Sequence, residues 1–122
     1  MQALSYGLIN QFRSRFVGLP DSRIVSLGEG NTPLLPMTHP SIPSTMQVFA
    51  KCEFMNPTGS YKDRGMTVAM TAAASQGTTG VICASTGNTS ASAAAYAARA
   101  SLPCIVLIPH QKVSRLKINQ AL

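Results

Sequence analysis

Between Gly80 and Ile108 the chain spells out a strand, a helix and a second strand. A short apolar run, Val81-Ile82-Cys83-Ala84, precedes an Ala-rich stretch from Thr89 to Ala100; Pro103 and a second apolar run, Cys104 to Ile108, follow. Short apolar runs bounded by Gly and Pro are the pattern of strands buried on both faces, and a helix-length connection between them calls for parallel pairing. The same alternation begins upstream. Gln47 to Phe54 reads as a strand, with Val48, Ala50 and Cys52 opposite Phe49 and Lys51. Tyr61 to Gln76 reads as a helix with Met66, Ala69, Met70 and Ala73 on one face and Gly77 as its C-cap. Downstream, Pro109-His110-Gln111 marks a turn, and Val113, Leu116, Ile118 and Leu122 keep helical spacing. The expected fold is therefore α/β, built of parallel β/α crossover units. Three parallel strands leave edges and faces to cover, so the chain reads as the front part of a longer protein.

Ahead of this array, Leu8, Ile9, Phe12 and Phe16 fall at helical spacing within Ser5 to Phe16, which predicts an amphipathic helix released by Gly18 and Pro20. Residues Gly18 to Pro43, rich in Gly, Pro, Asn, Ser and Thr, read as a long ordered loop or a linker.

Composition narrows the partners. Ten Lys and Arg against four Asp and Glu give a net charge of +6, which suits an anionic ligand. The basic residues are scattered from Arg13 to Lys117 without interleaved aromatics, so no nucleic-acid surface is expected. Cys52, Cys83 and Cys104 are odd in number and set in apolar segments, which fits free thiols in a reducing compartment. With His39 and His110 they form no metal-ligand spacing. There is no apolar stretch of membrane-spanning length and no signal-peptide pattern at the N-terminus, so the expected location is cytoplasmic.

Two loops carry the chemistry. In open α/β sheets ligands bind where strands lead into helices at their carboxyl ends, and parallel strands bring such loops to one side. The first loop, Asn56-Pro57-Thr58-Gly59-Ser60-Tyr61-Lys62-Asp63-Arg64-Gly65, delivers Lys62 to the start of a helix. The positive end of the helix dipole and the neighbouring Arg64 disfavour an ammonium there, whereas Asp63 favours it. A free lysine amine is the nucleophile for Schiff-base formation; the plainer alternative is a solvated surface lysine. The second loop, Ser85-Thr86-Gly87-Asn88-Thr89-Ser90, brings hydroxyls and an amide to a helix N-terminus, where an anion is favoured. It matches neither common nucleotide-binding glycine motif, and ordinary helix capping accounts for its Ser and Thr equally well.

Taken together, Asn56 to Gly65 followed by Ala84-Ser85-Thr86-Gly87-Asn88-Thr89-Ser90-Ala91-Ser92 resembles the fold-type II pyridoxal-phosphate enzymes, whose fold is like that of the tryptophan synthase β chain. Glu29-Gly30-Asn31-Thr32-Pro33-Leu34 and Lys117-Ile118-Asn119-Gln120-Ala121 extend the resemblance in the same order over about residues 26 to 122. Within that family the Ser-Thr-Gly-Asn-Thr-Ser form of the second loop differs from the Thr-Ser-Gly-Asn-Thr-Gly of cysteine synthases and the Ser-Ala-Gly-Asn-His of threonine and serine dehydratases.

The resemblance implies that Lys62 binds pyridoxal 5'-phosphate covalently and later moves protons as the general base. Asn88 would hydrogen-bond the cofactor's phenolic oxygen, and Ser85, Thr86, Gly87 and Thr89 would hold the substrate's carboxylate or phosphate. The implied reaction turns O-phospho-L-homoserine and water into L-threonine and phosphate, with a homodimer as the full-length assembly. Residues 1–55 would belong to the large domain and 56–122 to part of the small one. Tyr61 departs from the family's usual Phe. The family's glycine-rich loop for the cofactor phosphate and the residue facing the pyridine nitrogen have no counterpart here, so the isolated chain is expected to show no turnover. Another fold-type II reaction, or a non-catalytic binding module that keeps the fold, are the competing expectations.

Overall fold

The computed structural model describes residues 7–108. Its main elements are α1 (Leu8–Gln11), β1 (Leu34–Met37), β2 (Val48–Lys51), α2 (Lys62–Ser75), β3 (Val81–Ala84), α3 (Asn88–Arg99) and β4 (Cys104–Leu107). The expected helix over 113–122, its preceding turn and the motif 117–121 lie outside the described residues.

The crossover unit forms as the sequence indicates. β3 pairs with β4 in parallel, Val81 opposite Cys104 and Ala84 opposite Leu107, and α3 makes the connection. Val81, Cys83 and Cys104 pack toward a small core of Val25, Met70, Ala93, Tyr96 and Ala97. The expectation that both faces of these strands are buried does not hold among the described residues. Ile82 is 69% exposed, and Ile105 and Leu107 also face outward, because helices cover only one side of the pair.

The strand before Lys62 departs further from expectation. β2 is not part of the parallel sheet. It pairs antiparallel with β1, Leu34 opposite Lys51 and Met37 opposite Val48, in a sheet of its own. β1 falls inside the stretch read as loop or linker, and Pro36 within it masked the strand. Proline lacks the ladder donor, and a strand carrying it belongs at a sheet edge.

The N-terminal helix is shorter than its apolar spacing predicts. It ends at Gln11, and Ile9 is buried while Phe12 stays 43% exposed. Ser5 lies outside the described residues. Arg13 is the physical reason for the break. Its guanidinium donates to Asp21 Oδ1 at 2.6 Å, to the Phe16 carbonyl at 2.6 Å and to the Leu19 carbonyl, which folds the chain back into a turn.

α2 begins and ends as predicted, and Gly77 at φ 71° takes the left-handed position after it. The Thr78 N–H donates to the Ala73 carbonyl and the Gly77 N–H to that of Ala74, the paired bonds of a Schellman end. Its buried residues, however, are mostly polar: Asp63, Thr67 and Thr71 beside the apolar Met70. Of the predicted apolar face, Met66, Ala69, Met70 and Ala73 border an open groove of about 220 Å³ with Val81, Ile82, Cys83 and Ala93. The buried threonines serve a backbone segment. Thr67 Oγ1 donates to the Val25 carbonyl at 2.7 Å, and Thr71 Oγ1 accepts the Val25 N–H at 2.9 Å. One helical turn thus satisfies both peptide groups of a buried loop residue. Thr71→Val keeps the shape and removes the acceptor. We expect it to cost about 1–3 kcal/mol, the penalty for an orphaned buried N–H, read as a lowered urea midpoint.

Candidate functional site

The turn that presents Lys62 is held at both ends. The Asn56 carbonyl accepts the Gly59 N–H at 2.8 Å with Pro57 at the second position, and Gly59 adopts φ 78°. The chain then enters α2, whose first residue is Lys62, with its N–H donating to Ser60 Oγ at 3.3 Å. The Lys62 side chain is half-buried, and its Nζ lies 4.9 Å from the centroid of the Tyr61 ring. Tyr61 itself is 58% exposed, so its hydroxyl needs no buried partner.

The two charges flanking Lys62 have other partners. Asp63 is fully buried; its carboxylate accepts the Thr58 N–H at 2.7 Å, the Thr58 hydroxyl, and the Ser92 hydroxyl at 2.6 Å. Arg64 makes a bidentate pair with Glu53, Nε to Oε2 at 2.7 Å and Nη2 to Oε1 at 2.8 Å. Their places in the sequence suggest modulators of the lysine. Their observed work is to anchor its turn.

Around that ion pair the motif at 29–34 is joined to the motif at 56–65. Thr32 Oγ1 donates to Glu53 Oε1 at 2.9 Å and receives Arg64 Nη2 at 3.1 Å. Asn56 Nδ2 donates to Glu53 Oε2 at 2.9 Å, while Asn56 Oδ1 accepts the Gly30 N–H at 3.0 Å. The Arg64 hydrogen bonds, outweighing burial and aided by Thr32 and Asn56, lower the Glu53 carboxyl from 4.5 to about 2. A carboxyl lowered on folding contributes stability that is whole above pH 4.5 and lost as pH falls toward 2. Allowing for solvent screening of a partly exposed pair, that contribution is about 1–2 kcal/mol. Urea unfolding between pH 7 and pH 3 should show it, and Glu53→Gln should flatten that part of the profile.

A second carboxylate network lies deeper. Glu29 is 1% exposed and accepts the Leu8 N–H at 3.0 Å, the Leu27 N–H at 3.1 Å, the Tyr96 hydroxyl at 2.8 Å and the Ser26 hydroxyl. Burial opposes its charge, but its backbone hydrogen bond and those from Tyr96, Leu8 and Leu27 win, holding the carboxyl below its ordinary value. Burial first, and then Glu29, push the Tyr96 hydroxyl far up, so it stays a donor. Gly7 passes close enough that an added Cβ would lie 2.5 Å from Ser26 Oγ. Sequence reading did not find these hubs. The available signal was scarcity: of only four acidic residues, Glu29, Glu53 and Asp63 all sit in or beside Gly- and Pro-rich turns.

The second loop opens α3. Asn88 and Thr89 are its first two residues, and the cap position is Gly87, which brings no side chain to the helix end. The Gly87 N–H donates to Ser85 Oγ at 3.2 Å, curling the loop, while Ser90 Oγ turns back onto the Gly87 carbonyl at 2.6 Å. Ser85, Thr86, Gly87, Asn88 and Thr89 are all partly accessible. Ser85 and Thr86 line an open depression of about 540 Å³ with Ala84, Leu107 and Ile108; Lys62 is not among its walls.

A buried contact joins the helices that follow the two loops, and it is not the one the sequence suggested. β2 and β3 are in different sheets, so parallel strand ends do not align the loops. The buried Asp63–Ser92 hydrogen bond ties the first turn of α2 to α3, one turn beyond Asn88. This sets the head of Lys62's helix beside the head of Asn88's. An accessible amine, an amide, several hydroxyls and the amide end of a helix together suit a ligand carrying an aldehyde and an anionic group. Among the described residues no group of His, Cys, Asp and Glu could hold a metal ion, and no helix is long and apolar enough to cross a membrane.

Comparison with known proteins agrees with that chemistry. A family model described as pyridoxal-phosphate dependent enzyme matches residues 25–122. A threonine synthase from Bacillus sp. (strain ULM1) is 50% identical over 115 residues, covering 94% of this chain and 33% of the relative. Threonine synthases from Mycobacterium tuberculosis (strain ATCC 25618 / H37Rv), 51% identical over 94% of this chain and 32% of the relative, and from Synechocystis sp. (strain ATCC 27184 / PCC 6803 / Kazusa), 49% identical over 95% and 31%, match similarly. The chain spans about a third of the length of these curated relatives.

Proposed function

The chain belongs to the family of pyridoxal-phosphate dependent enzymes, and from that premise we propose that its protein is a threonine synthase, a lyase acting on O-phospho-L-homoserine. The carrying observation is a half-buried lysine heading α2, whose neighbour Asp63 is hydrogen-bonded to Ser92 of α3, in a sequence about half identical to threonine synthases. The proposed reaction takes O-phospho-L-homoserine and water to L-threonine and phosphate.

In this reading Lys62 supplies the amine that holds the cofactor and, as a free base, moves the protons at Cα and Cβ of the substrate. The Asn88 amide donates to the cofactor's phenolic oxygen. Ser85, Thr86 and Thr89, with the N–H of Gly87, hold the substrate's carboxylate or phosphate. When bound, pyridoxal 5'-phosphate supplies the electron sink, and the protein supplies position and electrostatics. The groups for the cofactor phosphate and pyridine nitrogen are proposed to lie outside these 122 residues. A cytoplasmic homodimer completes the proposal.

The reading also assigns 1–55 and 56–122 to different domains of the enzyme. The separate antiparallel and parallel sheets support that division, although hydrogen bonds donated by Tyr96, Thr67 and Arg64 cross it.

Substrate competition tests the reaction. With cofactor present, the full-length protein should release phosphate and form L-threonine from O-phospho-L-homoserine. Keto acid and ammonia from serine or threonine, with no phosphate release, would point to a dehydratase instead. No lysine-dependent cofactor absorption at all would favour a binding module.

A further inference from the structure

We infer that Asp63 and Ser92 form a positioning latch, which sets the Lys62 amine relative to the Asn88 loop; this rests on the proposed role of Lys62. The latch has three contacts on one fully buried carboxylate. Two come from Thr58, through its N–H and its hydroxyl, and fix the turn that feeds Lys62 into α2. The third comes from Ser92 at 2.6 Å, across the helix pair. Ser92 is fully buried and stands four residues after Asn88, on the same face of α3. Asp63 follows Lys62 directly in α2. One carboxylate therefore fixes three things together: the entry of the lysine's turn, the head of its helix, and α3 one turn beyond Asn88.

The other long-range side-chain bonds named above for these two helices run elsewhere. The Thr67 and Thr71 bonds tie the middle of α2 to Val25, and the Tyr96 bond ties the end of α3 to Glu29. Those contacts fix each helix to the N-terminal loop, whereas the Asp63–Ser92 bond fixes one helix start to the other. Loss of the Ser92 donor leaves both Thr58 contacts in place, so the lysine's turn keeps its shape. What changes is the spacing between amine and amide. Misplacement of about 1 Å in such a pair is worth on the order of 10²-fold in rate.

Ser92→Ala in the full-length holoprotein isolates that contact, and Thr71→Val serves as the comparator, since it removes one buried hydrogen bond far from the helix starts. Both should lower thermal stability. Measured well below either melting temperature, Ser92→Ala should also lower kcat on the order of 10-fold with little change in KM. It should shift the pH midpoint at which the lysine-bound cofactor's absorption changes. Thr71→Val should leave both where they are. Ser92→Cys, nearly isosteric with a weaker donor, should fall between wild type and Ser92→Ala on both readouts. If Ser92→Ala matches Thr71→Val in kcat and spectral midpoint, the latch is merely structural and the inference fails while the role of Lys62 stands. If the wild-type protein shows no Lys62-dependent absorption, both fall together.

Discussion

Lys62→Ala should abolish the visible absorption of bound pyridoxal 5'-phosphate in the full-length protein and reduce phosphate release from O-phospho-L-homoserine by about 1,000-fold or more. The lysine is asked to do two jobs, covalent capture and proton transfer, and general acid–base catalysis alone is worth about 10²–10⁴-fold. Lys62→Arg separates charge from chemistry. It keeps a cation at the head of α2 but offers no amine to an aldehyde, so it should be as inactive as Lys62→Ala. Folding should be little affected in either, because the Lys62 amine sits over the exposed Tyr61 ring and its backbone is kept by both substitutions. Retained absorption in Lys62→Ala would mean that the cofactor is held elsewhere.

The largest stability effect should come from Glu29→Ala. Its ionised carboxylate is the shared acceptor for Leu8, Leu27, Tyr96 and Ser26, which belong to α1, the following loop and α3. Truncation strands those donors in a site from which water is excluded, and it leaves a void beside Gly7. Breaking a buried charged hub costs about 3–5 kcal/mol, a large share of the roughly 5–15 kcal/mol that holds a typical domain. Tyr96→Phe removes one donor and leaves the others satisfied, so its cost should be about 1 kcal/mol. Equilibrium urea unfolding of the two variants should separate them clearly. Equal effects would show that the hydroxyl, rather than the whole hub, carries the stabilisation.

Local signals are legible in the sequence and long-range ones are not, for physical reasons. The β3–α3–β4 unit shows itself through apolar runs and an Ala-rich helix, and Gly77 marks the end of α2 because a left-handed residue is needed there. The turn at Asn56-Pro57 and the start of α2 at Lys62 follow from turn and helix chemistry confined to a few neighbours. By contrast, all four residues of β1, a proline among them, are exposed, so neither period nor propensity announces it. The polar buried face of α2 is unreadable without Val25, whose peptide groups lie 42 and 46 residues from the threonines that satisfy them. Glu29 and Tyr96 are 67 residues apart. The site shows the same split. Lys62 and the 85–89 loop stand out as motifs, but the Asp63–Ser92 contact that joins them is visible only in three dimensions.

That join also changes the meaning of the charged residues around the lysine. Beside Lys62 in sequence, Asp63 and Arg64 look like electrostatic tuners of its amine. In the fold Asp63 faces inward to Thr58 and Ser92, and Arg64 is forked onto Glu53. The charges of the motif therefore hold its turn, and the half-buried lysine between them is left to other work. Such a division suits a nucleophile that must stay in place while reactive partners come and go.

The central claim, that Lys62 is the residue that captures the cofactor, is tested most directly by chemical trapping. The full-length protein is loaded with pyridoxal 5'-phosphate, reduced with borohydride, digested and mapped by mass spectrometry. The reduced pyridoxyl-phosphate mass should appear on the peptide carrying Lys62 and be lost in Lys62→Ala. The same mass on another lysine, or on none, would contradict it.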